Sequence, residues 1–179
     1  MRTGSRRLAR PVPRSVEDVH RWQIPQAALI RSLSSVPSNR LSDGDPIAAF
    51  ERACAWDSTG HSDRAVPLYR WALDHGLAGY RRRRAVIQMS SSLRNIGQVE
   101  TAVTVLEAER DIAPATLDEQ TRALADAISA TLALCLVDSG REREAVSVAL
   151  AALAPHLPRY QRSMGNYARL LLDPADNPR

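Results

Sequence analysis

Lysine is missing altogether: every one of the 24 basic side chains in the 179 residues is an arginine. Such a complete replacement reads as the codon bias of a GC-rich bacterial genome and carries no mechanism. Aromatic residues make up only 4% of a chain that is 44% hydrophobic, so alanine, leucine and valine must fill the core. Strand formers are sparse and alanine is the best helix former, which favours closely stacked helices over sheets. The two cysteines, Cys54 and Cys135, have no second cysteine or histidine at metal-ligand spacing, so no zinc site is predicted and nothing demands oxidation.

Catalytic patterns are lacking too. No nucleophile stands beside a base, no carboxylates pair, and no phosphate loop is present. Ser90-Ser91-Ser92 has none of the flanking glycines of a nucleophile elbow, and His61, His75 and His156 fall near helix ends or in loops, where imidazole is commonly a solvated or capping group. No enzyme activity, metal or cofactor is expected. Long apolar runs are also short of what a membrane span needs: Ala123–Val137 is the longest candidate and contains Asp126. The arginine-rich beginning has no continuous apolar core of the secretory kind, and a cytoplasmic location is expected.

The basic character is local. Met1–Arg40 carries eight arginines against Glu17 and Asp18, a net +6, which leaves −2 for the remainder of a chain whose formal charge is +4. A near-neutral remainder gives little support to electrostatic DNA binding, whatever the overall pI. Residues 1–43, with Pro11, Pro13, Pro25 and Pro37, read as a basic, mostly disordered extension, with one transient helix around Pro25–Ser34. This segment is an interaction arm, a plain disordered extension, or upstream sequence admitted by an early start codon.

What is present is a repeat. Gly60, Gly97 and Gly140 each close one amphipathic segment and precede another, and each is followed five residues later by alanine: Ala65, Ala102 and Ala145. Asp45-Pro46 offers a capping residue and a proline at the first helical position. The inward faces read Ala49, Ala53 and Trp56, then Ala65, Leu68/Tyr69 and Ala72; in the second copy Val86, Met89/Ser90 and Leu93, then Ala102 and Leu106. The third gives Ser129, Leu132/Ala133 and Leu136, then Ala145, Ala149 and Ala152. Its first helix, from Asp118 to Asp138, is apolar nearly all round, the mark of a helix covered on both sides. A last helix, Tyr160–Leu172, turns Tyr160, Met164, Tyr167/Ala168 and Leu171 inward as a cap with a polar outer face.

These residues resemble the tetratricopeptide repeat, with its W-x2-L-G-x2-Y first helix and A-x3-F second helix. The copies read Ala49-x2-Arg52-Ala53-x2-Trp56 with Ala65-x3-Tyr69, Val86-x2-Met89-Ser90-x2-Leu93 with Ala102-x3-Leu106, and Ser129-x2-Leu132-Ala133-x2-Leu136 with Ala145-x3-Ala149. Glycine spacings of 37 and 43 residues exceed the usual 34, which implies longer linkers. The three divergent copies look like the compact bacterial group-five type. The resemblance implies an all-α, right-handed solenoid of three helix pairs plus a C-terminal capping helix over residues 44–172, with residues 173–179 a disordered tail. It also implies a non-catalytic protein-protein interaction module that binds a protein or peptide in its concave groove.

In such a solenoid the first helices line the groove. Their faces opposite the packing residues would expose Phe50, Cys54 and Asp57, then Arg84, Ile87, Ser91 and Arg94, then Leu134 and Asp138. An apolar residue beside arginines suits a peptide with a hydrophobic anchor and an acidic group, because guanidinium matches carboxylate bidentately. The same arginines read equally as solvated surface. Phe50 and Cys54 stand where a chaperone clamp would need lysine and asparagine, which excludes that specialisation. The run Arg81–Arg84 is an alternative nucleic-acid contact together with the basic tail, but successive helical residues turn by about 100°, so the run is mostly solvated and does not share one face. A structural homodimer follows if the apolar third copy is left partly exposed.

Overall fold

The computed structural model describes residues 44–173. The expected disorder of residues 1–43, the transient helix around Pro25–Ser34 and nearly all of the C-terminal tail lie outside the described residues. Within them the chain is helical, with no strand. The elements are α1 Pro46–Ser58, α2 Ser62–Asp74, α3 Gly79–Asn95, α4 Val99–Arg110, α5 Glu119–Arg122, α6 Ala125–Asp138, α7 Glu142–Leu153 and α8 Gln161–Leu170, with short 3-10 turns at Pro114–Thr116 and Ala154–His156.

The start of α1 follows from its first two residues. Asp45 is extended and its carboxylate accepts the Ile47 N–H at 2.8 Å, satisfying a donor that the helix cannot, while Pro46 has no N–H to satisfy. The three repeat glycines end α1, α3 and α6 in the same way. Each has φ between 75° and 80°, a left-handed conformation that costs a side chain about 1–2 kcal/mol. The residue after each glycine then donates back to the helix, His61 to Trp56 at 2.9 Å, Gln98 to Leu93 at 2.8 Å and Arg141 to Leu136 at 2.8 Å. These bonds turn the chain into a tight antiparallel pair.

Alanine decides how closely the pairs approach. Ala53, Ala65, Ala72, Ala102 and Ala145 all lie in the core, and larger side chains fill the space between pairs: Tyr69, Leu93, Leu106, Leu132 and Leu136. Helices α1 and α2, α3 and α4, and α6 and α7 form the three pairs. The first helices also pack on one another, α1 on α3 and α3 on α6, and the second helices pack back onto the next first helix, α2 on α3 and α4 on α6. The first helices therefore form an inner layer and the second helices an outer one, as in an α-solenoid.

The third pair departs from expectation. Its first helix is broken at Ala123–Leu124, where Leu124 donates three residues back to the Thr121 carbonyl; the short helix before the break is capped by Asp118, whose carboxylate accepts the Thr121 N–H and hydroxyl, each at 2.8 Å. Helix α6 is covered on one side only: Leu134 is 53% exposed and Val137 49%. Ala149, expected inward on α7, is exposed. The cap is partial as well. Ala168 is buried and Met164 and Leu171 half-buried, but Tyr160 and Tyr167 lie in solvent. Helix α8 is tied to α7 through Ser147, whose hydroxyl donates to the Ala168 carbonyl at 2.7 Å, and through Arg143, which donates to Leu171 at 3.2 Å. Taken together, Glu119–Asp138 has the length and composition of a membrane span, a longer stretch than the sequence pattern marked, though it is the interrupted inner rod of the third pair.

Candidate functional site

The inner layer presents one stripe from its central helix. Arg84, Ile87, Gln88, Ser91 and Arg94 are all half-exposed on α3, at intervals that place them on a single face. Cys54 and Asp57 meet this stripe from α1: the Cys54 thiol donates to Gln88 Oε1 at 3.4 Å, and Asp57 accepts the Ser92 hydroxyl at 2.6 Å. On the other flank, Arg94 binds Asp138 of α6 through Nε at 2.5 Å and Nη2 at 3.4 Å. Leu134 of α6 stands open beyond it. Eight of the nine residues expected to line the groove thus keep exposed surface, although Leu134 opens on the side of α6 away from α3, and among the eight the Arg94–Asp138 contact bridges adjacent helices.

Phe50 is the correction. It has no exposed surface and cannot touch a partner. The neighbouring inner helix covers it: the Arg84 guanidinium lies 5.3 Å from the centre of its ring, and Tyr69 of α2 packs against it at 6.2 Å between ring centres. In a core built mainly of alanine, the lone phenylalanine fills the gap between α1, α2 and α3. Arg84 also lies 5.9 Å from the Tyr80 ring, so its charge is held over two aromatic faces at the groove edge.

Burial governs the chemistry of the residues between α1 and α3. Desolvation raises the Asp57 carboxyl above the ordinary carboxylate range, and hydrogen bonds from Ser92 and Tyr69 pull against it. Desolvation likewise pushes up the Cys54 thiol, keeping it in the protonated form that is a poor nucleophile. The Tyr69 phenol is also raised, chiefly by burial, with the neighbouring Cys54 and Asp57 next in effect. Tyr69, Gln88 and Ser92 escaped the sequence reading, because each was assigned to packing or passed over. Both cysteines are free thiols, on α1 and α6 with α3 between.

The four-arginine run divides among three surfaces. Arg81 faces Glu51 of α1 at 3.8 Å, and Arg84 enters the groove edge. Arg82 turns to Glu109 of α4 at 2.6 Å, with Arg83 3.9 Å from the same carboxylate. Arg83 and Glu109 are each only 3% exposed, which corrects the expectation of a mostly solvated run. A signal for this pair was present: Glu109 continues the buried stripe of Ala102 and Leu106 at helical spacing, and an acid placed there needs a cation. With its members pointing apart, the run offers no continuous surface to a phosphate backbone.

The inner and outer layers, the glycine-closed pairs and the alanine contacts are the geometry of one repeat class, and a family model described as tetratrico peptide repeat matches residues 46–171. The chain belongs to that family. No curated protein and no solved structure matched the chain. Tetratricopeptide domains generally mediate protein-protein interaction and are typically non-catalytic scaffolds, and among the described residues no cluster of histidine, cysteine, aspartate or glutamate has the makings of a metal site.

Proposed function

We propose that this tetratricopeptide domain is a non-catalytic cytoplasmic module that takes a peptide segment of a protein partner along the inner face of α1, α3 and α6. The observation that carries the reading is the half-exposed stripe of α3, where Ile87 lies between Arg84 and Arg94. An apolar contact flanked by guanidinium groups matches a segment with one hydrophobic side chain and an acidic group. Arg84 is the stronger of the two candidates, since its guanidinium is held by aromatic faces, whereas Arg94 already shares its charge with Asp138. A ligand carboxylate would have to compete with Asp138 for Arg94.

Affinity purification from the native host with mass spectrometry identifies the partner. The double change Arg84→Ala and Arg94→Ala is then expected to weaken binding with the helical circular-dichroism spectrum retained, the melt falling modestly because Arg84 covers Phe50 and Arg94 ties α3 to α6. Full retention of affinity would move the binding site to the outer helices or to residues 1–43.

A further inference from the structure

Helix α7 carries four distinct faces, three of them occupied. Ala145, Val148 and Ala152 turn toward α6, Arg143 and Ser147 hold α8, and Glu144 reaches the second pair through Arg141, which also contacts Glu107 of α4 at 3.2 Å. What remains is Val146, Ala149 and Leu153, spaced three and four apart and all exposed, Val146 at 48% and Leu153 at 50%. On α6 the residues turned away from α3 and α4 are Ala130, Leu134 and Val137, again exposed and again spaced four and three. The two stripes lie on the side of the α6–α7 pair opposite the rest of the stack, where another helix pair would sit in a longer solenoid. Helix α8 is held on a different face of α7 and leaves this one open.

We infer that the open α6–α7 face is a self-association surface, covered by the same face of a second copy of this chain. Three observations favour that occupant. The face is apolar across its middle, with charge only toward its ends, at Asp126, which contacts His156 at 2.9 Å, and at Glu142, while Asp138 is turned to Arg94 of α3. It therefore offers little electrostatic recognition of an unlike partner, and has the character of homodimer interfaces, which are the most apolar class. Its residue spacing suits a two-fold repeat: an axis crossing the helices at Leu134 and Ala149 sets Val137 against Ala130 and Leu153 against Val146 of the other copy. Its size is adequate, since two adjacent helices of this length present roughly 20 Å by 20 Å. Side-chain relief brings the accessible area toward the ~600–800 Å² per partner of the smaller stable interfaces. A bilayer is the poorer occupant, because α6 is interrupted before Ala125, carries Asp126 and has its other side locked in the core. The surface is distinct from the α3 stripe of the groove, so the two readings stand or fall separately.

The test is sedimentation velocity of the full chain at micromolar concentrations, alongside the double variant Val146→Glu and Leu153→Glu and the separate variant Ala130→Glu. The intact chain is expected at twice the mass of one copy, with both variants weakened in association by roughly tenfold or more and unchanged in far-ultraviolet circular dichroism. Ala130 is an exposed helix position that glutamate suits, so that variant keeps the test valid if the α7 change impairs folding. A monomer at every concentration overturns the inference, as does a dimer that both variants leave equally tight. An intact chain that stays monomeric yet floats with phosphatidylcholine–phosphatidylglycerol vesicles overturns it in favour of a lipid surface.

Discussion

The second and third helix pairs carry the same motif in different surroundings. In the second, α3 and α4 have neighbours on both flanks, and the pair buries Val86, Met89, Leu93, Ala102 and Leu106 together with a charged pair, Arg83 and Glu109. In the third, the same glycine turn and the same alanine contact bring α6 and α7 together, yet Leu134, Val137, Val146 and Leu153 remain about half exposed. The motif specifies how two helices join. Whether their outer faces are buried depends on what stacks next, a property of position in the solenoid.

The largest expected effect lies in the middle pair. Replacing Glu109 by alanine leaves Arg83 buried without its counter-charge, and removing one partner of a buried ion pair costs about 3–5 kcal/mol. Urea denaturation should show a loss of that order, whereas removing the exposed Glu142 at the start of α7 should change stability by no more than ~0.5 kcal/mol. Equal, small losses at both positions would mean that the middle pair is no more closed than the third.

A smaller effect is expected from Asp57, which joins the first pair to the second through Ser92. Its carboxyl is raised by burial, so it holds its proton more readily folded than unfolded. The stabilisation from protonation is complete below the unfolded value and is lost as pH rises through the higher folded one. Asp57→Asn removes this component. Wild type should therefore gain stability relative to the variant as pH falls through the raised folded value, read from urea midpoints at neutral and mildly acidic pH. A difference between the two proteins that does not vary with pH would place Asp57 in solvent.

The parts of this fold that were legible in the sequence are those with a local physical cause. Gly60, Gly97 and Gly140 could be located because a left-handed turn nearly requires glycine, and Ala65, Ala102 and Ala145 because close helix approach requires a small side chain. The solenoid followed from their recurrence. Phe50 and Arg83 were misplaced because their burial comes from neighbours distant in the chain: Arg84 and Tyr69 over Phe50, and Glu109 of α4 beside Arg83. The apolar character of α6 pointed to cover on both sides, but composition cannot say whether a neighbour is present. For the groove, the α3 stripe was readable from spacing, while the pairing of Arg94 with Asp138 joins residues 44 apart that only the packing of α3 on α6 brings together.

Leu106 and Ala149 occupy the same place in the motif, four residues after the alanines of the second and third copies, and test most directly whether neighbours rather than motif decide burial. Leu106 has no exposed surface and Ala149 lies in solvent. Chemical denaturation of Leu106→Ala and Ala149→Leu, at concentrations too low for self-association, should give a loss of about 2–5 kcal/mol for the first and a change within ~0.5 kcal/mol for the second. A large destabilisation by Ala149→Leu, comparable to that of Leu106→Ala, would show the third pair packed on both sides and contradict the account.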